Sequence, residues 1–145
     1  MSRMKTKVLF QLNQVGYGGT EKAILSFCQN LNRDIFEPYL FIYNKSSIYK
    51  YYWYLFLSKL SKKYRSRFLT KYIYSRARIG DFIDTIGKHN IFEGNTSAFK
   101  NAIDMVSPDI VHFNRGKWEP FFDAFINALP DDCVCVETNI FGYPA

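Results

Sequence analysis

Residues 7–31, KVLFQLNQVGYGGTEKAILSFCQNL, carry the clearest architectural signal in the chain. The first six, KVLFQL, form a β-type run. Three glycines then fall within four positions (Gly16, Gly18, Gly19). Beyond them Ile24, Phe27, Cys28 and Leu31 recur at i, i+3, i+4 and i+7, which marks one face of a helix. Thr20 suits the N-cap, and Glu21 suits the first turn, where unpaired backbone N–H groups favour negative charge. A strand that enters a helix through a glycine loop is the opening of a βαβ unit.

The rest of the chain continues that alternation. PYLFIY (38–43) is apolar throughout, as a parallel strand covered on both faces should be. GDFIDTIGKHN (80–90) and NTSAFKNAIDMVS (95–107) read as short helices, the second with Phe99, Ala102, Ile103 and Val106 on one face and Pro108 at its end. DIVHFN (109–114) reads as a third strand and CVCVETN (133–139) as a fourth. Between them EPFFDAFINAL (119–129) is helical, with Pro120 near its start, where a helix tolerates proline. Four strands alternating with helices of about 10–15 residues predict an α/β fold: a Rossmann-like, mainly parallel sheet with helices on both faces and right-handed crossovers. Ligands of such sheets gather at the carboxyl ends of the strands. Here those ends are Asn13 to Gly19, Asn44 onward, His112 to Lys117, and Glu137 to Gly142.

Bulk properties fit one globular domain. The chain has 145 residues, 48% hydrophobic and 22% charged, too apolar for a disordered protein. Cysteines number three (Cys28, Cys133, Cys135) and histidines two (His89, His112). An odd, unclustered cysteine set predicts buried free thiols and no disulfide framework, and no zinc-ligand spacing is present. The apolar run Val8 to Leu12 is interrupted by Gln11 and is too short for a signal peptide's core. YYWYLFL (51–57) falls far short of the ~20 residues needed to span a bilayer. The expected location is therefore cytoplasmic.

The glycine loop fails two nucleotide tests. A dinucleotide fingerprint needs a third glycine where Glu21 stands, and an acidic residue near the end of the second strand, where Asn44 and Lys45 stand. The Walker pattern needs Gly-Lys-Ser/Thr, which does not follow. The glycines alone serve a tight turn equally well. A phosphate held at this helix start would have to lie in front of the turn, because Glu21 already supplies a negative charge there.

Three stretches in order resemble family 4 glycosyltransferases, retaining enzymes of the GT-B fold. KVLFQLNQVGYGGTEKAILSFCQNL is similar to that family's first strand, Gly-Gly-x-Glu loop and helix. SPDIVHFN is similar to its Pro-Asp-Ile-Val-His-x-His strand, and VCVETNIFG to its strand ending in Thr-x-His. The likeness covers most of the chain outside residues 45–94. It implies two Rossmann-like domains with the active site between them, the first binding the acceptor and the second the nucleotide. This chain corresponds to the first alone. The expectation is one acceptor-side domain over 1–145 without the C-terminal nucleotide-sugar domain, incomplete unless a partner chain supplies it.

The resemblance also assigns roles. Gly16, Gly18 and Gly19 would approach the phosphate and sugar of a nucleotide-sugar, a co-substrate rather than a cofactor. The acceptor would be a saccharide or a lipid-linked sugar. His112, Asn114, Asn139 and Glu137 are the candidates beside the reacting groups. Asn114 and Asn139 stand where the family usually has histidine. Asparagine can hydrogen-bond a hydroxyl, but it cannot exchange a proton near neutral pH. No metal is expected, since Asp-x-Asp does not occur. The departures leave open a non-catalytic binding or membrane-docking subunit.

The middle of the chain departs from the βα pattern. From 38 to 80 there is no Asp or Glu, yet ten of the 19 Lys and Arg residues lie there. This basic, aromatic insertion (about 45–78) forms, if helical, a stripe of Tyr49, Trp53, Phe56, Leu60 and Tyr64, with Ser58, Ser61, Lys62 and Arg65 opposite. One reading packs the stripe on the sheet beneath a solvated basic face. The other lays it on a membrane, Trp53 at headgroup depth and Lys59, Lys62, Lys63 and Arg65 on anionic lipid. Nucleic acid is disfavoured, because no recognition motif accompanies the aromatics.

Overall fold

A computed structural model of the chain describes residues 4–44, 48–115, 119 and 121–139. Lys45, Lys117, Pro120 and Gly142 lie outside these, as do the side chains of Tyr49, Lys50, Lys71, Arg115 and Asn139.

The strands are β1 (Thr6–Leu12), β2 (Phe36–Tyr43), β3 (Ile91–Gly94), β4 (Ile110–Arg115) and β5 (Val134–Asn139). They form one sheet in the order β3-β2-β1-β4-β5, with every neighbouring pair parallel. The α-helices are α1 (Gly19–Asn30), α2 (Ile48–Leu60), α3 (Lys62–Phe68), α4 (Ile79–Ile86), α5 (Thr96–Val106) and α6 (Phe122–Ile126). The protein is thus an α/β domain with a Rossmann-like sheet, as the alternation predicts.

The parallel crossovers, right-handed by the general rule for such units, sort the helices between the faces. The chain steps outward from β1 to β2 and β3, with α1 and α4 covering one face. It then returns past β1 to β4 and β5, with α5 and α6 covering the other. Alternate residues of β1 divide accordingly. Val8, Phe10 and Leu12 pack with Ile24, Leu25, Cys28, Phe82 and Ile86, whereas Leu9 packs with Phe41, Phe99, Ile103, Phe113 and Phe125. The second core is a set of interlocked rings. Phe99 stacks on Phe125 with centroids 4.1 Å apart, and Phe41 meets Phe99 edge-on at 5.0 Å. Ring pairs in these geometries add about 0.5–1.5 kcal/mol each beyond their area burial.

Four local features differ from the sequence reading. The first is β3, a fifth strand pairing with β2 from Leu40↔Ile91 to Tyr43↔Gly94. It is four residues long with only two large apolar side chains, and the helical signals on either side mask it. Secondly, α1 starts at Gly19 with Gly18 as N-cap, so Thr20 lies inside the helix. Thirdly, α6 has five residues, fewer than the eleven that read as helical. The fourth concerns the thiols. Cys28 is buried, but Cys133 is half-buried and Cys135 exposed, because β5 is an edge strand. Val134 and Val136 beside them are 55% and 40% exposed.

Among the other ends, Asn95 caps α5 by accepting from the Ala98 N–H, and Ser107 closes the helix in the left-handed region (φ 48°) just before Pro108. Gly94, at φ 152°, turns β3 into that helix.

Candidate functional site

The strand order reverses between β1 and β4, so the crevice beyond their carboxyl ends is where a doubly wound sheet places a ligand. Gln11, Asn13, Asn114, Glu119, Phe121 and Phe122 line a small recess there, with about 10 Å³ of room. That holds roughly one water and is far below the ~300 Å³ of a typical small-molecule pocket. The polar groups are tied to one another. Gln11 Nε2 donates to Asn13 Oδ1 at 2.9 Å, and Asn13 Nδ2 lies 3.2 Å from both carboxyl oxygens of Glu119. Asn114 Nδ2 donates to the Gln11 carbonyl at 3.4 Å. Behind them Tyr43 stacks on Phe121 at 3.9 Å. Burial, and secondarily the Glu119 charge, raises the Tyr43 phenol above its ordinary value.

Of the residues singled out in the sequence, Asn114 sits in this recess. Asn13 begins one of the strand ends named from the sequence, whereas Gln11 and Glu119 are additions of the structure. The signal for Gln11 was nevertheless present, as a polar residue interrupting a strand that is apolar on both faces. It is 2% exposed, a placement that a side-chain amide tolerates only when hydrogen-bonded.

The glycine loop runs from β1 to α1 and is clamped from behind. Val15 N–H donates to the Ser75 carbonyl, and Arg78 N–H to the Val15 carbonyl, each at 2.8 Å. A Cβ on Gly16 would come to 3.0 Å from the Tyr74 carbonyl oxygen, tighter than an ordinary contact, so glycine eases the close approach of the two segments. At Gly18 a Cβ would overlap the carboxyl group of Glu21, which folds back over the start of α1 and is buried. The anion-favouring end of α1 therefore already has a carboxyl group from within the chain. Gly19 is open, with nothing within 4 Å of the Cβ position. Among the described residues a nearby cation is Arg78, whose guanidinium lies over the Tyr17 ring at 5.4 Å, with Nη1 4.0 Å from Asp81 Oδ2 and Nε buried without a hydrogen-bond partner.

His112 is held apart from these groups, against Phe10 (5.5 Å) and Phe27 (6.5 Å), with Nε2 2.7 Å from Thr138 Oγ1. Burial lowers its pKa below the ordinary 6.5, so the imidazole is neutral at physiological pH. Glu137 is exposed on β5, opposite Phe113 in register. Asn139 ends the same strand. Among the described residues no group of three or more His, Cys, Asp or Glu is placed to hold a metal ion.

The insertion is not the single packed helix that one reading expected. α2 ends at Leu60, and Ser61 adopts an extended conformation while its hydroxyl accepts from the Tyr64 N–H to cap α3. A π turn (Leu69–Ile73) and a 3₁₀ turn (Tyr74–Arg76) lead back to α4. Tyr72 bridges the segment, 5.7 Å from both Tyr54 and Phe68. Of the expected stripe, Trp53, Phe56 and Leu60 are exposed and Tyr64 is half-buried, so the stripe does not pack on the sheet. No helix among the described residues is long and apolar enough to cross a membrane. No family model, curated protein or solved structure matches the chain.

Proposed function

We propose that this chain is the acceptor-side half of a two-domain sugar transferase of the GT-B kind. It would take part in moving a sugar from a nucleotide-sugar to a saccharide or lipid-linked acceptor, in the cytoplasm or at the inner face of a membrane. One observation carries this reading. Asn13, Asn114 and a glycine loop that is open at Gly19 all lie at the carboxyl ends of β1 and β4, where the strand order reverses.

In this proposal Gly19, with no side chain and open space before it, admits the donor's phosphate or sugar, and Arg78 supplies the nearby positive charge. Asn114 and Asn13 hydrogen-bond sugar hydroxyls once their present bonds open. His112, neutral and set back against Phe10 and Phe27, orients β5 through Thr138 and transfers no proton. The one-water recess supports a half-site, completed only when a second domain closes over this edge. Closure of that kind is how such sites exclude water.

Calorimetry with UDP- and GDP-sugars tests the proposal. The chain alone should bind them weakly, with Kd on the order of 1 mM or higher. Submicromolar binding by the chain alone would contradict the half-site.

A second reading, a non-catalytic docking subunit, is favoured by the Glu21 carboxyl group over the start of α1 and by asparagine at positions 114 and 139. Adding a donor-binding domain of a related transferase separates the two. Transfer activity requiring both proteins supports the half-enzyme, and its absence supports the docking subunit.

A further inference from the structure

The outward side of α2 is apolar. Tyr52 and Trp53 are each 59% exposed, Phe56 55% and Leu60 66%, whereas Ser58 on the inward side is buried. At 3.6 residues per turn the four large side chains, with Lys59 at their margin, fall within an arc of about 120°. A helix on a protein surface ordinarily turns its polar face outward. Directly after it, α3 carries Lys62, Lys63, Arg65 and Arg67, all exposed. No carboxylate occurs from residue 38 to residue 80 to neutralise them.

We propose that α2 and α3 form a docking surface for an anionic bilayer. Trp53, Phe56 and Leu60 enter the headgroup–acyl boundary, and Lys59, Lys62, Lys63 and Arg65 face lipid phosphates. A bilayer surface satisfies both halves of the patch, since it offers hydrocarbon to Phe56 and Leu60 and anionic charge within reach of the cations. Nucleic acid would use the cations and stack on the rings but would leave Leu60 bare. α2 has 13 residues, too few to span a bilayer, so it would lie in the interfacial plane.

Docking also has a direction. The insertion leaves from the carboxyl end of β2, and its far end is hydrogen-bonded to the glycine loop through Ser75 and Arg78. The surface is therefore joined to the edge of the sheet that bears the recess. Combined with the sugar-transfer reading, and resting on it for this point alone, docking makes a lipid-linked acceptor the substrate class to test first.

The test is co-sedimentation of the full chain with phosphatidylglycerol–phosphatidylcholine vesicles and with pure phosphatidylcholine vesicles, at low and high salt. Binding to the anionic vesicles at low salt is expected, with markedly weaker binding to the neutral ones. Lys63→Gln should weaken it about fivefold, and the triple change W53S/F56S/L60S by about tenfold or more. Circular dichroism should be unchanged in both variants. In a Trp118→Phe background the remaining tryptophan, Trp53, should shift its emission to the blue on docking. Absence of vesicle binding at low salt would overturn the proposal. So would binding without a Trp53 shift, or tighter binding to a single-stranded oligonucleotide than to the vesicles. Vesicle binding with no nucleotide-sugar contact up to about 10 mM would leave docking standing and count against the transferase reading alone.

Discussion

Two aromatic regions of this protein face opposite ways. On the α5/α6 side of the sheet, Phe41, Phe99, Phe113 and Phe125 are fully buried against one another. In α2, Tyr52, Trp53 and Phe56 are more than half exposed. The same class of side chain thus serves cohesion in one place and presents a surface in the other. The burial of each region, more than its composition, tells the two roles apart, and substitutions should separate them cleanly.

The largest expected effect is in the buried set. Phe99→Ala removes a ring stacked on Phe125 and edge-packed on Phe41, and should cost about 3–5 kcal/mol in urea unfolding. Phe56→Ala, at the exposed helix, should change stability by less than about 0.5 kcal/mol. Similar losses at both sites would mean that α2 is packed after all, and the contrast would fail.

Next in size is Gly94→Ala. At φ 152° an L-residue is strained, and its Cβ would overlap Ala98 Cβ in α5. Destabilisation of about 1–3 kcal/mol is expected. Gly19→Ala makes the control, since it has open space and a helical position, and it should be close to neutral. If Gly19→Ala also weakens nucleotide-sugar contact without changing stability, the open space at that position is functional.

A smaller effect is pH-dependent. Burial holds the His112 pKa below 6.5, so the folded protein takes up this proton less readily than the unfolded chain. His112's contribution to stability is then fully present above about pH 6.5 and is lost as pH falls through the folded-state value. Unfolding free energies measured above and below that window should differ less for His112→Gln than for the native chain. An unchanged slope would mean that His112 is solvated rather than packed on Phe10.

Much of this architecture was legible in the sequence, and the exceptions have physical causes. The glycine loop, the helical periodicities around Ile24 and Phe99, and the continuous apolar run 38–43 located β1, α1, β2 and α5, although in α1 the buried apolar residues are Ile24, Leu25 and Cys28, while Phe27 of the expected face is 54% exposed. β3 escaped notice because a four-residue strand carries too few side chains to set a period. The exposure of Cys135 depends on β5 lying at the sheet edge, which is a matter of topology, not of local pattern. In the insertion, the spacing of Trp53, Phe56 and Leu60 defined a stripe but said nothing about what the stripe would meet. The candidate site was half legible. Gly16, Gly18 and Gly19 lie in a loop at a strand end, and their roles and that of Asn114 come from the family resemblance. The partnership of Asn13 with Glu119 spans 106 positions, and the folding of Glu21 over Gly18 depends on a side-chain conformation.

Backbone amide shifts in ¹⁵N-labelled protein, titrated with a nucleotide-sugar and a short saccharide, test the central claim most directly. The account predicts fast-exchange shifts confined to Asn13, Gly16–Gly19, Asn114 and their neighbours at the carboxyl ends of β1 and β4. Shifts elsewhere on the sheet, or none up to about 10 mM ligand, would contradict it.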